Sequence, residues 1–518
     1  MHTVKFVIES GAKRWPQKIA SRFENRSYTY HQLNERAGII ANYLFELGLR
    51  KGETATILSE NCHEYIEVIA GAAKGGFILC TLNYMLTVDE LAYIINDAGA
   101  TVVFFDNQFA SKIESLKEVC PCLKSFIAWG QGKKPKDTKT LDYENLFREP
   151  CSTQYDPSVE EDDTLLLVYT SGTTGRPKGV MLSQKNVFFD GQYAALGLEL
   201  THETINLNIA PLFHVASTIL QTMSTLIMGG TNVTLRRFET RKVLETIEKE
   251  RITWTFLVPT MIYRLLDEPE IKRYDLSSLR HVAYGAAPIF RNRLEIALEI
   301  FGPVLYGVYG LTEGTANITI LRAEDHLLEG PPEKVRRLNS CGREHNGHEV
   351  RVVDFSGFDV APGEIGEVII RSAVVMQGYW NNPKATQETI RSGWLYTGDL
   401  ATIDEEHYIF IVDRKKNMII SGGENIYPKE IEDVIIQHDS VANVCVFGVR
   451  DSEWGESPKA VVECRPGMSL NEEEVIAFAK EHLARYKCIR HVEIIPELPK
   501  NSVGKVDIKE IKKRFGDN

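Results

Sequence analysis

The 518-residue chain has no apolar run long enough to cross a bilayer. Its most apolar stretch, Val215 to Gly230, is too short and is interrupted by Ser217, Thr218, Gln221, Thr222, Ser224 and Thr225, so it reads as a buried helix. Basic residues are in deficit as well: 59 Lys and Arg against 71 Asp and Glu leave a formal charge of −12, which excludes a broad nucleic-acid-binding face. Any polyanionic ligand must then be held by local donors. Cysteine is sparse and odd in number, nine in all, and Cys120 and Cys122 flank a single proline without making a Cys-x-x-Cys pair. That pattern points to a reduced, cytoplasmic protein. The first residues lack the apolar core and cleavage pattern of a secretion signal, the last four carry no peroxisomal or lipidation address, and there is no internal repeat or low-complexity tract.

What is present is ordinary globular material, 43% hydrophobic and 25% charged, enough for about three compact units. Short apolar runs at 53–58, 101–105, 164–169, 232–235, 254–258 and 281–284 alternate with amphipathic stretches. Continuous runs separated by helical patterns predict parallel sheets covered on both faces, an α/β core of two stacked lobes. Near residue 340 the texture becomes β-rich. Asn346-Gly347, between Gly342–His345 and His348–Val353, predicts a hairpin, and Pro362–Gly366 leading into Val368–Ile370 predicts another. The trio Cys341, His345 and His348 superficially suggests zinc, but strand alternation would put these side chains on opposite faces, and a metal site is rejected. From Asp413 a smaller α+β unit is expected, with strands at 444–447 and 460–462 and a helix over 472–483. The domains are therefore read as 1–412 and 413–518.

The segment Thr170-Ser171-Gly172-Thr173-Thr174-Gly175-Arg176-Pro177-Lys178-Gly179 directly follows the strand at 164–168. Three glycines let backbone approach a ligand closely, four hydroxyls donate, and Arg176 and Lys178 add charge, which is chemistry for a polyphosphate. It is not a Walker loop, because Pro177 precedes the lysine and Gly179 follows it.

This segment resembles the signature loop of the adenylate-forming superfamily, which includes acyl-CoA synthetases, nonribosomal-peptide adenylation domains and beetle luciferases. Similar motifs continue in order: Pro211–His214, Tyr284–Pro288, Tyr309–Glu313, Tyr396–Asp399, Asp413-Arg414, Ser421–Asn425 and Pro499–Lys505. The resemblance implies a large N-terminal AMP-binding domain with a β-rich subdomain and a small mobile C-terminal domain hinged at Asp413. It also implies ATP, Mg²⁺ and coenzyme A. A carboxylate attacks the α-phosphorus of ATP, and a thiol then takes the acyl group.

By the same resemblance, Glu313 is the Mg²⁺ ligand and Thr312 a donor to the α-phosphate. Tyr309 stacks on adenine beside Gly285, Ala286, Ala287 and Gly310, while Asp399 and Arg414 hold the ribose. Lys505 serves adenylation, and His214 borders both acyl pocket and α-phosphate. Gly422 and Gly423 approach pantetheine after the small domain turns, and Arg237 touches the nucleotide end of coenzyme A. Two departures are informative. Ser183-Gln184 stands where relatives have a Ser/Thr-His pair, and His214-Val215 stands where amino-acid-activating relatives have an aspartate. The chain ends thirteen residues past Lys505, so no fused carrier domain is expected.

The reading is an AMP-forming acyl-CoA synthetase for a mostly apolar carboxylic acid, medium- to long-chain or aromatic. An acyl-AMP ligase that loads a carrier protein and a luciferase-like oxygenase are the alternatives. No nucleic-acid partner or transmembrane segment is expected, and homo-oligomer formation is left open.

Overall fold

The computed structural model describes residues 2–136, 139–148, 154–170, 176–421, 424–451, 454–500 and 506–516, apart from the side chain of Tyr486. It divides into two compact units, Met1–Val350 with Ile370–Tyr396, and Arg351–Ile369 with Thr397–Asn518.

Two large sheets organise the first unit, and both are built from the expected apolar runs. One has nine strands in the order Arg343–Glu344, Thr319–Leu321, Leu305–Tyr309, His281–Gly285, Trp254–Leu257, Ile205–Asn208, Thr231–Thr234, Ile19–Phe23, Arg26–Thr29. The six strands from Leu305–Tyr309 to Ile19–Phe23 are parallel, so their carboxyl ends share one edge. The other has eight strands in the order Gly378–Tyr379, Lys178–Ser183, Thr164–Thr170, Ile78–Thr81, Thr54–Leu58, Val102–Asp106, Ser125–Trp129, Thr140–Asp142. It is parallel except for Lys178–Ser183, which returns antiparallel on Thr164–Thr170, and Gly378–Tyr379, which caps that hairpin. Residues of both sheets, among them Ala20, Phe23, Ala55, Ile57 and Val168, share one buried apolar cluster with helices Val4–Arg14, Tyr30–Glu46 and His63–Gly75. Helices between successive parallel strands produce this layering, since a parallel connection needs a crossover.

The stretch from Val215 is a buried helix, as its composition suggests, but its first part, Ala216–Met223, is wound as a π-helix. Ser217, Thr222, Ser224 and Thr225 satisfy their hydroxyls on backbone carbonyls there, which is how so polar a helix tolerates burial. No helix among the described residues is long and apolar enough to cross a membrane.

One expected hairpin is not formed. Arg343–Glu344 pairs with Thr319–Leu321 in the nine-stranded sheet, whereas His348–Val353 enters a separate five-stranded sheet. Asn346-Gly347 makes the turn, but the flanking runs leave for different partners. His345 and His348 do not point apart either: their rings meet edge-on with centroids 4.5 Å apart. His345 lies outside the strands, where alternation does not apply.

In the second unit, Trp394–Ile403 pairs antiparallel with Ile409–Arg414. A five-stranded sheet follows, Glu424–Ile426, Ile419–Ser421, Gly455–Cys464 and Val441–Asp451 in order, with His491–Ile495 parallel to Gly455–Cys464. Helices Pro428–Ile435 and Glu472–His482 bury Ile431, Ile435, Val475 and Ala479 against it.

Gln184, the residue that departs from the family's Ser/Thr-His pair, is part of the scaffold. It is fully buried, its Oε1 accepts from Val4 N–H at 2.9 Å and its Nε2 donates to Ala73 C=O at 3.1 Å. Gln184→Met, of similar shape, strands a buried N–H and a buried C=O and should lower stability by about 1–3 kcal/mol. A urea unfolding midpoint equal to that of the unaltered protein would contradict this role.

Candidate active site

In an open parallel sheet, ligands settle beyond the carboxyl ends of the strands. The residues singled out in the first unit lie there: His214 beyond Ile205–Asn208, Gly285 to Ala287 at the end of His281–Gly285, and Tyr309 to Glu313 at the end of Leu305–Tyr309. Thr170 and Lys178 face one another across the hairpin of the other sheet. Ser171, Gly172, Thr173 and Thr174 lie outside the described residues.

The Tyr309–Glu313 motif is shaped by close backbone approach. A Cβ on Gly310 would sit 1.8 Å from the Ala316 carbonyl oxygen, so only glycine lets the chain fold back across 310–316 and present Thr312 and Glu313 in a short 3₁₀ turn. Thr315, a β-branched residue, is held at φ +68°, with its hydroxyl on the Val374 carbonyl. Ala286, exposed beside Gly285, has φ +64°. Two non-glycine residues in the left-handed half of the map flank one site, and such strain persists where surrounding structure imposes it.

Glu313 is half-buried. Its Oε1 accepts from the Tyr379 hydroxyl at 2.8 Å, and its carbonyl accepts from Met376 N–H at 2.9 Å. The face of the same Tyr379 ring lies 4.9 Å from the Lys178 ammonium. Arg176, the other cation of the loop, lies over Tyr93 at 5.4 Å. Lys178, Tyr379 and Glu313 thus form one continuous polar seat at the strand ends.

His214 follows a turn in which its N–H donates to Pro211 C=O at 3.1 Å. Its ring packs 4.3 Å from that of Phe213, whose carbonyl is fixed by the Thr81 hydroxyl at 3.0 Å. The π-helix begins two residues later, a geometry enriched at functional sites. Arg237 is largely exposed and lies 3.5 Å from Glu60.

In the second unit, Asp399 is 4% exposed and lies 2.9 Å from the Arg414 guanidinium, its cross-strand partner. Asp413 accepts from Arg414 N–H, from Asn417 Nδ2 and, through Oδ2, from Lys429 N–H at the start of helix Pro428–Ile435. Burial raises its pKa against those donors. Gly422, Gly423 and Lys505 lie outside the described residues.

Two residues escaped the sequence reading. Tyr379 is one; its only signal was an aromatic after a glycine in Gly378-Tyr379-Trp380. The other is Asp190, a buried carboxylate in helix Gln184–Gly197. It is 1% exposed, and its Oδ1 accepts from Asn317 N–H at 3.1 Å, anchoring the far end of the 310–317 turn. Asn317 in turn meets His345 Nε2 at 2.9 Å. Among the described residues, His63, Glu64 and Glu144 lie close enough to share a cation. Glu144 Oε1, however, already accepts from Arg26 at 2.9 Å and Arg36 at 3.3 Å, two cations that a metal would have to displace.

Comparison with known proteins decides the family. The AMP-binding enzyme family matches residues 8–380, and the AMP-binding enzyme C-terminal domain matches residues 430–505. The chain belongs to the AMP-binding enzymes. Within that adenylate-forming superfamily it is an acid-thiol ligase of the AMP-forming acyl-CoA synthetase family. It is 34% identical to a feruloyl-CoA synthase of Amycolatopsis sp, over 98% of this chain and 97% of the relative. It is also 34% identical to the medium/long-chain-fatty-acid–CoA ligase FadD8 of Mycobacterium tuberculosis, over 98% and 89% respectively. Among solved structures, the o-succinylbenzoate CoA synthetase MenE of Bacillus subtilis, in complex with an acyl-adenylate intermediate, superposes with a TM-score of 0.85 at 29% identity, covering 98% of this chain and 97% of that one. The α/β architecture, with a large N-terminal domain of two sheets plus a β subdomain and a small C-terminal domain, is shared with these AMP-binding enzymes.

Burial raises the Asp190 carboxyl to about 7, although the Asn317 and Ala316 N–H groups pull the other way. The native state then keeps a proton that an unfolded aspartate releases near about pH 3.9. The stability this contributes is full below about pH 4 and is lost as pH rises toward about 7. Asp190→Asn keeps an oxygen for Asn317 N–H and cannot ionise. Its melting temperature relative to the unaltered protein should therefore climb between pH 5 and pH 8, and a pH-independent difference would contradict the assignment.

Proposed function

We propose that the chain activates an apolar carboxylic acid, a medium- to long-chain fatty acid or an aromatic acid, with ATP and passes the acyl group to coenzyme A. The acid's carboxylate oxygen attacks the α-phosphorus and pyrophosphate leaves. The coenzyme A thiol then attacks the acyl carbonyl and AMP leaves. The observation that carries the ATP half is the seat formed by Lys178, Tyr379 and Glu313 at the strand ends, a cation and a carboxylate steadied by one tyrosine.

In this reading the repulsion between a carboxylate and a triphosphate is the main barrier, so fixed positive charge and donors supply the catalysis. Lys178 and Thr170, with Ser171 to Thr174, hold the phosphates, and Thr312 donates to the α-phosphate. Glu313 fits a Mg²⁺ ligand, since Mg²⁺ takes one or two carboxylates plus phosphate oxygens and its Oε1 is already oriented by a hydrogen bond. When bound, Mg²⁺ neutralises phosphate charge. Tyr309, Gly310 and Gly285 to Ala287 receive the adenine, while Asp399 and Arg414 receive the ribose. His214 borders the reacting carboxylate, Asp413 is the hinge, Lys505 completes adenylation, and Gly422, Gly423 and Arg237 serve coenzyme A.

Support for an apolar acid comes from Ala216, Val258, Met261, Tyr306, Val308 and Ala316. These hydrophobic side chains pack on a buried cluster beneath the same strand ends yet are only partly covered. Relatives named for feruloyl and for medium- to long-chain fatty acyl groups support the same class.

A panel of acids graded by length, ring content and charge, scored for coenzyme A-dependent AMP formation, should show activity concentrated among uncharged apolar tails. Activity only with amino or dicarboxylic acids would overturn the substrate class, and transfer only to a phosphopantetheinylated carrier would overturn the coenzyme A assignment. Lys505→Ala should slow adenylation by on the order of 10²–10³-fold while sparing thioester formation from supplied acyl-adenylate. Equal loss of both steps would contradict its role.

A further inference from the structure

Tyr379 is 7% exposed and belongs to none of the motifs that carry the family resemblance. Its hydroxyl and its ring face are both committed, and to the two groups on which the ATP reading rests. The hydroxyl donates to Glu313 Oε1 at 2.8 Å, and the ring lies 4.9 Å from Lys178 Nζ.

The backbone around Tyr379 is fixed from several sides. Tyr379 pairs with Val180 in the strand that Lys178 begins, and its N–H donates to the Thr386 hydroxyl at 2.9 Å. Gly378 adopts φ +146°, and a Cβ there would lie 2.7 Å from Thr386 Cγ2, so the turn admits no side chain next to the tyrosine. Trp380 donates through its backbone N–H to Gly179 C=O at 2.7 Å and through its indole to Asp97 C=O at 3.0 Å. Met376 N–H holds the Glu313 carbonyl at 2.9 Å. Residues 376–380 therefore stitch the strand of Lys178 to the turn of Glu313. A tyrosine needed only for packing would require neither this double anchoring nor a carboxylate for its hydroxyl.

We propose that Tyr379 is a positioning residue, which aims the Glu313 carboxylate at the metal of a bound Mg²⁺·ATP and sets the Lys178 ammonium on the other side of the phosphates. This rests on the reading of Glu313 and Lys178 as ATP-handling groups. The phenol is the donor in this pair, its hydroxyl directed at Glu313 Oε1. It moves no proton in the reaction; it acts through the geometry of its two neighbours.

The test is calorimetric titration of the full chain with ATP, with and without Mg²⁺. In the unaltered protein Mg²⁺ should tighten ATP binding. Tyr379→Phe keeps the ring under Lys178 and removes the donor, and it should lose about tenfold of that Mg²⁺ enhancement, the value of one hydrogen bond to a charged group. The loss of Mg²⁺ enhancement should exceed any change in its metal-free ATP affinity, which a merely structural role of the hydroxyl would move equally. Glu313→Gln should lose at least as much, and the double variant no more than the larger single loss, because the two act as a unit. Full Mg²⁺ enhancement in Tyr379→Phe, or additive losses in the double variant, would overturn the tyrosine's role while leaving the ATP reading standing. Failure of the unaltered protein to bind ATP at all would overturn that reading and this inference with it.

Discussion

A hydrogen bond from Tyr379 to Glu313 ties the edge of one large sheet to a turn of the other, across sheets that already share a buried apolar cluster. Glu313 belongs to the turn after a parallel strand of the nine-stranded sheet, while Tyr379 and Lys178 belong to the antiparallel edge of the eight-stranded one. The central strands of each sheet are buried on both faces, which holds them in close-packed surroundings. The Tyr379 hydroxyl on the Glu313 carboxylate, with Met376 N–H on the Glu313 carbonyl and the Lys178 ammonium over the Tyr379 ring, sets the spacing of an ammonium and a carboxylate. A ligand that is itself a polyanion, accompanied by a hard cation, needs such a pair held apart and oriented, because a reorganising site would give back in reorganisation what it gained in charge stabilisation.

The same demand explains where the fold carries strain. Gly310 folds against Ala316, Thr315 takes a conformation that β-branched residues avoid, and Asp190 holds the far end of that turn as a buried carboxylate. Each is unfavourable alone, and each is maintained by the packed cluster beneath. Burial dominates the environment of Asp190 and raises its pKa to about 7, so below that pH its neutral form accepts a backbone hydrogen bond at a modest desolvation cost.

Much of the scaffold could be read before any coordinates. The six apolar runs are all strands of the two large sheets, because continuous β-branched stretches report burial on both faces. Partners were harder to read than elements. Ile19–Phe23 lies beside Thr231–Thr234, more than two hundred residues away in sequence, and no local pattern encodes that pairing. The Asn346-Gly347 turn was legible, yet its flanks join different sheets, since turn chemistry specifies a reversal and says nothing of which strands receive it. In the site, His214, Gly285 to Ala287 and Tyr309 to Glu313 follow strands of the nine-stranded sheet, while Thr170 and Lys178 lie in the hairpin of the eight-stranded one. Tyr379 and Asp190 were invisible for a common reason: a lone tyrosine or a lone aspartate gains its meaning only from a neighbour distant in sequence, Glu313 for the first and Asn317 for the second.

The central claim is that a carboxylate oxygen of the acid attacks the α-phosphorus of ATP at this site, and isotope transfer reads that bond directly. With an acid labelled with ¹⁸O in its carboxylate, ATP and coenzyme A, the released AMP should carry one label in its phosphate and the pyrophosphate none. Label appearing in pyrophosphate or inorganic phosphate, with unlabelled AMP, would place the attack elsewhere and contradict the account.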